Sequence, residues 1–241
     1  MTTLSTALDV AGASQRLAAT SRVRLPGLLQ DGVGALYDAV TDPGMLWMRA
    51  IHNPWNAEVP VALFEAEPLD EQARLIALAH EEATDGFQFI FDRLKLGQAR
   101  AMGLTIPQPL YDLHACFNSE AFLSFARALT GDDRIAYVDA QATRYLPGHF
   151  LNRHTDEHVD AGRLYAYVLN LTPDWRAEWG GLLMFLEAGE VVETFLPGAG
   201  ILNVFKVPQS HAVSMVAPFA GAARHSITGW WRTTPPPGGQ G

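Results

Sequence analysis

The spacing of apolar positions changes character near residue 135. Before it, hydrophobic side chains recur every three or four residues, the period of a helix with one buried face. "GVGALYDAV" (32–40) is a short segment of this kind, stopped by "TDPG". In "DEQARLIALAHEEATDGFQFIFDRLKLG" (70–97), Leu75, Ala79, Ala83, Phe87, Ile90, Phe91 and Leu94 keep the spacing. The pattern predicts helix throughout, with Gly86 breaking it into two pieces. "NSEAFLSFARALTG" (118–131) offers Asn118 or Ser119 as a start cap, Phe122, Ala126 and Leu129 as a buried stripe, and Gly131 as a stop.

After residue 135 the period falls to two. "IAYVDAQATRYL", "RLYAYVLNL", "GGLLMFLE", "VVETFL", "GILNVF", "HAVSMV" and "RHSITGWWR" are short runs rich in β-branched and aromatic residues. Pro or Gly punctuates several of the breaks between them. About seven or eight strands without intervening helices predict a sandwich, jelly roll or barrel, with a helical layer on one face of the larger sheet. The first 20 residues are small and polar and read as a flexible tail, and "TTPPPGGQG" (233–241) reads as a disordered end. One domain over 21–232 is expected, with a helical lead-in to about 134 and a β core over 135–232.

Composition narrows the function classes. With 48% apolar residues the chain can bury a sizeable core. Its 26 acidic and 17 basic residues give a charge of −9 without any basic run, which argues against nucleic-acid or anionic-membrane partners. The single cysteine, Cys116, has no internal partner, and a reducing cytoplasm suits it. No stretch has the length of a membrane span or the apolar core of a signal peptide.

Candidate chemistry concentrates in "HFLNRHTDEHV" (149–159). On a strand, His154 and Asp156 share a face with their Cβ atoms roughly 6–7 Å apart, a separation that suits two ligands of one ion. His211, opening "HAVSMV", is the best-placed third ligand. Two histidines and one carboxylate on one face of a metal leave positions open, an arrangement suited to iron(II) that binds a cosubstrate and O₂. The plain alternative is a hydrogen-bonded His–Asp pair. His158 and His225 compete less well, because i+4 fits a helix and His225 alternates to the opposite face. His52, His80 and His114 fall in the helical half, and His149 sits in a turn.

The last run adds a cation. Arg224, Ser226 and Thr228 share one face, and His225 and Ile227 the other. An arginine inside an apolar barrel is costly unless an anion pairs with it, and its fork matches a carboxylate. A dicarboxylic acid, chelating the metal at one end and held by Arg224 at the other, is the natural guest.

Together, "RYLPGHFLNRHTD", "RLYAYVLNLTPDW", "EWGGLLMFLE", "SHAVSMV" and "RHSITGWW" resemble the iron(II)- and 2-oxoglutarate-dependent dioxygenases of the prolyl 4-hydroxylase type, in the branch of the ribosomal-protein prolyl hydroxylases and their bacterial relatives. The resemblance implies a double-stranded β-helix (jelly-roll) core with N-terminal helices on the major sheet. It implies His154, Asp156 and His211 as iron ligands, and Arg224, assisted by Ser226 and Tyr145, on the far carboxylate of 2-oxoglutarate. Asn170 stands where many relatives carry a second tyrosine. The implied reaction consumes O₂ and 2-oxoglutarate, releases succinate and CO₂ and hydroxylates a C–H bond, with L-ascorbate as a supporting reductant. A prolyl residue in a peptide or protein is the expected substrate, and a free amino acid or small metabolite the rival. A β-sandwich binding module is the non-enzymatic rival. Entrance candidates are Arg163, His158, Trp175, Trp179 and Trp230, each with an ordinary structural reading as well.

Overall fold

The computed structural model describes residues 3–52, 54, 56–157 and 162–236. Helices α1 (Val10–Thr20), α2 (Val33–Val40), α3 (Val61–Glu65), α4 (Leu69–Glu82), α5 (Leu96–Ala101), α6 (Gln108–Phe117) and α7 (Glu120–Thr130) all precede residue 135. The first half also holds strands β1 (Arg22–Pro26), β2 (Met48–Ile51), β3 (Ala57–Pro60) and β4 (Phe89–Lys95). Beyond it come β5 (Tyr137–Val138), β6 (Gln141–Tyr145), β7 (Phe150–His154), β8 (Arg163–Asn170) and β9 (Leu183–Glu187). They are followed by β10 (Glu190–Phe195), β11 (Ile201–Lys206), β12 (His211–Val213) and β13 (Arg224–Arg232).

All thirteen strands join one antiparallel sheet whose main path runs β1-β11-β8-β13-β6-β4-β7-β12-β9-β10. Its two end strands approach each other through Arg22 on β1. That guanidinium binds Glu193 of β10, lies 3.6 Å from Glu187 and sits 4.9 Å over the Phe185 ring. The sheet is therefore barrel-like and nearly closed, the jelly-roll form expected from the residue pattern. Alternation along β8 and β13 splits the core in two. Tyr165, Tyr167, Leu169, Ile227 and Trp231 pack outward under α6 and α7, against Phe117 and Phe122. Ala166, Val168 and Trp230 point inward to Phe185 and Phe205.

Local signals explain the helix ends. Ser119 caps α7 through Phe122 N–H, and Gly131 closes it at φ 68°, a left-handed conformation natural to glycine. Two expectations fail. Residues 89–95 are a strand, not the second half of a helix. Phe89 and Phe91 face one cluster while Ile90 joins another, so period two wins where aromatic spacing allowed either reading. The N-terminus is no tail over 10–20: Asp9 caps α1, which packs on α7 and buries Ala13 and Leu17 completely or nearly so. Small residues there are what permit close helix contact. Of the expected disordered end, residues 233–236 have no helix or strand, and 237–241 lie outside the described residues.

Candidate metal centre

β7 ends at His154 and β12 begins at His211, and the two residues are direct partners in the antiparallel pair. Their rings lie 4.1 Å apart, tilted by 49°. Asp156 follows two residues past the end of β7 with φ 60°. The flat-strand geometry expected for His154 and Asp156 is thus corrected. Asp is one of the few side chains that tolerates a left-handed backbone, and the bend swings its carboxylate back. Oδ1 comes within 3.3 Å of His154 Nε2, and Oδ2 within 3.5 Å of His211 Nε2. Ligand atoms of all three side chains lie within 4.8 Å of one another.

Each imidazole is aimed by its own strand. His154 Nδ1 donates to the Asn152 carbonyl at 2.9 Å, and His211 Nδ1 to the Gln209 carbonyl at 2.8 Å. A carbonyl only accepts, so both Nδ1 atoms carry the proton and both Nε2 atoms present lone pairs. Burial alone would push Asp156 up, but the two imidazoles beside it, His154 and then His211, bring its pKa down to about 2. Burial, then His154, lower His211 to about 4 against the pull of Asp156. Two imidazole nitrogens and a carboxylate therefore face a common point, a donor set suited to a divalent cation.

The triad opens on a cavity of about 190 Å³ inside the sheet. Phe87, Phe89 and Phe91 form an apolar wall, and Arg224 also faces it. Arg224 is 1% exposed, and no carboxylate pairs with it among the described residues. Its Nε has no hydrogen-bond partner, and Nη2 reaches Asn170 Oδ1 only at 3.5 Å. Gly181, at φ 63°, makes room for it, since a Cβ there would stand 3.0 Å from Arg224 Cδ. Burial lowers the pKa of this guanidinium.

Tyr145 lies opposite Arg224 across the β6–β13 pair, its ring stacked on Phe91 at 5.1 Å and 5.2 Å from the guanidinium carbon. Ser226 is fully buried and shares a hydrogen bond of 2.8 Å with the Thr143 hydroxyl. Thr143, not Ser226, reaches the cavity wall. Sequence reasoning passed over Thr143, although its place two residues before Tyr145 puts it on the same face. Asn170 donates Nδ2 to the Ile201 carbonyl at 3.1 Å and turns its oxygen toward Arg224, so its amide hydrogens are directed away from a guest.

The entrance candidates separate. Arg163 and Trp230 both line the cavity, the guanidinium 3.7 Å over the indole, and Arg163 donates to the Asp156 carbonyl at 3.3 Å. Trp175 and Trp179 pack edge to face and lie outside the cavity lining. His158 lies outside the described residues. The other histidines stay apart from the triad: His80 bonds the Gly148 carbonyl, and His225 sits on the opposite face near Tyr37 and Trp47.

Residues 140–232, which contain the triad and Arg224, match the 2OG-Fe(II) oxygenase superfamily. The fold is also that of several solved structures. A Pseudomonas putida prolyl-4-hydroxylase shares 21% identity over 92% of each chain, with a TM-score of 0.53. A Burkholderia pseudomallei oxidoreductase of the 2OG-Fe(II) oxygenase family shares 15% over 96% of this chain and 94% of its own, with a TM-score of 0.57. A prolyl 4-hydroxylase from Phytophthora capsici shares 15% over 96% and 68%, with a TM-score of 0.54. No curated protein matches the sequence. Residues 140–232 thus form a 2OG-Fe(II) oxygenase domain that holds a His-Asp-His set able to bind iron. None of its described helices is long and apolar enough to cross a membrane.

Proposed function

We propose that this oxygenase hydroxylates a prolyl residue in a peptide or protein, with His154, Asp156 and His211 as iron ligands and Arg224 as the anchor of 2-oxoglutarate. The observation that carries the assignment of the site is one cavity bounded by a metal-competent triad and by a buried guanidinium that has no counterion among the described residues. Iron(II) and 2-oxoglutarate supply oxidative decarboxylation, in which O₂ and 2-oxoglutarate yield succinate, CO₂ and a hydroxylated carbon.

The chain's own groups bind, orient and exclude. Arg224 receives the far carboxylate through its planar fork, and the Tyr145 and Thr143 hydroxyls on the neighbouring strand are positioned to add hydrogen bonds. Phe87, Phe89 and Phe91 keep water from one side of the reacting centre. The Arg163–Trp230 pair beside Asp156 offers a flat apolar face with a cationic rim, on which a five-membered ring and its peptide carbonyls can rest. The shared fold with two prolyl 4-hydroxylases supports the same choice of substrate. Ascorbate sustains turnover, and a reducing compartment such as the cytoplasm suits both ferrous iron and unpaired Cys116.

Two measurements test this. Anaerobic addition of iron(II) and 2-oxoglutarate produces a metal-to-ligand charge-transfer band, and His211→Ala abolishes both band and turnover. Absence of the band in the parent protein removes the iron assignment. Succinate release is then compared for free proline, proline-rich peptides and ribosomal-protein fragments. Stimulation by free proline but by none of the peptides replaces the protein-substrate reading with a small-molecule one.

A further inference from the structure

A second cavity, of about 560 Å³, lies outside the sheet, bounded by β2, α3 and α5. Its volume falls within the ~300–1,000 Å³ of ordinary small-molecule sites. Met48, Met102, Leu94 and Trp47 give it an apolar wall, and methionine adapts to varied shapes. Leu46 and Met102 remain 44% and 63% exposed. Exposed apolar side chains grouped around a concave surface have the composition of a ligand site rather than of scattered surface hydrophobics.

One polar group gives the cavity a charge preference. Arg144 donates Nε and Nη2 to Asp92 Oδ2 at 2.9 and 2.7 Å, while Nη1 makes no hydrogen bond among the described residues. Asp92 also binds Arg49 through two hydrogen bonds, so one carboxylate serves two guanidiniums. His149 and His225, close by, are kept neutral, chiefly by burial, with pKa values of about 3 and about 4. The cluster therefore keeps surplus positive charge. Of the acids lining the cavity, Glu58 is already engaged by Arg93 and Lys95, and Glu65 is exposed to solvent.

The cavity adjoins the catalytic chamber without joining it. β6 is the common wall: Thr143 and Tyr145 point into the inner cavity, and Arg144 between them lines the outer one. We propose that the outer cavity is a second ligand site, distinct from the oxygenase centre, that takes an amphipathic anion with its apolar body on the methionines and Trp47 and its single carboxylate on Arg144.

Calorimetric titration of the full chain with decanoate tests the proposal, with and without saturating 2-oxoglutarate. Arg144 is left in place because it holds Asp92. The expected result is one decanoate per chain, indifferent to 2-oxoglutarate, with decylammonium at least about tenfold weaker because its charge meets the surplus cation. Leu46→Glu and Met102→Glu, exposed positions at the cavity, each weaken decanoate by about tenfold, and Val191→Glu on β10 does not. No binding, equal binding of decylammonium, competition by 2-oxoglutarate, or unchanged affinity in both cavity variants overturns it.

Discussion

Two buried arginine sites lie on opposite faces of the same sheet, and the protein treats them differently. On the outer face Arg49, 4% exposed, forms a two-pronged pair with Asp92, and Arg144 adds two more hydrogen bonds to the same carboxylate. Burial alone would raise the pKa of Asp92, but the Arg49 and Arg144 guanidiniums hold it below the usual carboxylate range. On the inner face Arg224 is as deeply buried, and its one side-chain hydrogen bond among the described residues is a long one to an amide oxygen. A desolvated cation is tolerable when a carboxylate answers it and costly when none does. The first site thus clamps β2, β4 and β6 together, whereas the second leaves its charge for a guest to neutralise. The structural arginine and the one proposed to bind the cosubstrate differ in the counterion found among the described residues, not in burial.

The comparison is broken most severely at Asp92. Asp92→Asn leaves two guanidiniums facing a neutral amide and is expected to lower stability to urea by about 3–5 kcal/mol. A loss below ~1 kcal/mol would show that the clamp does not hold the strands. Next in size, Arg224→Leu is expected to weaken 2-oxoglutarate binding by about a hundredfold, ~3 kcal/mol. Its urea stability stays level or rises, because no carboxylate is stranded. Titration of the charge-transfer band at fixed iron(II) reads the first effect; a fall in stability as large as that of Asp92→Asn makes Arg224 structural.

Acid sharpens the contrast further. His149, His211 and His225 fall from 6.5 to about 3, 4 and 4, each chiefly through burial. Between pH 6.5 and 4 the unfolded chain binds more protons than the fold, so stability is lost as the pH is lowered through that window, by roughly 1–3 kcal/mol per histidine. Asp156 acts lower down. Its stabilisation is present above 3.8 and is lost as pH falls through about 2. Denaturation at pH 7, 5.5 and 4 measures the slope, and a flat profile contradicts neutral, buried imidazoles. The smallest effect belongs to the half-exposed pair of Glu58 with Arg93, whose oxygen and nitrogen lie 3.1 Å apart. Glu58→Gln is expected to cost no more than about 1 kcal/mol, and less in high salt. A cost equal to that of Asp92→Asn would erase the distinction between buried and solvated pairing.

Much of the candidate site was legible before any coordinates. His154, Asp156, His211, Arg224 and Tyr145 do come together, and Arg224 does alternate away from His225. The reason offered for His154 and Asp156 was incomplete, since a bend beyond β7, not a shared strand face, brings the carboxylate back. Thr143 was legible from its alternation with Tyr145 and was passed over, whereas the orientation of Asn170 was not legible, because it depends on which strand lies beside β8. The Asp92 clamp was hidden for the same reason, its three partners lying on three strands far apart in the chain.

The sequence by itself determined the alternation of β13, the caps of α7 and the residue types able to hold a metal and a carboxylate. Side-chain direction along one strand and the capping of one helix end are local properties of a few neighbouring residues. Only the tertiary structure decided that residues 89–95 are a strand, that α1 docks on α7, and that Arg224 has no counterion among the described residues while Arg49 and Arg144 share one. Those outcomes depend on contacts between distant segments, which the spacing within any single segment does not encode.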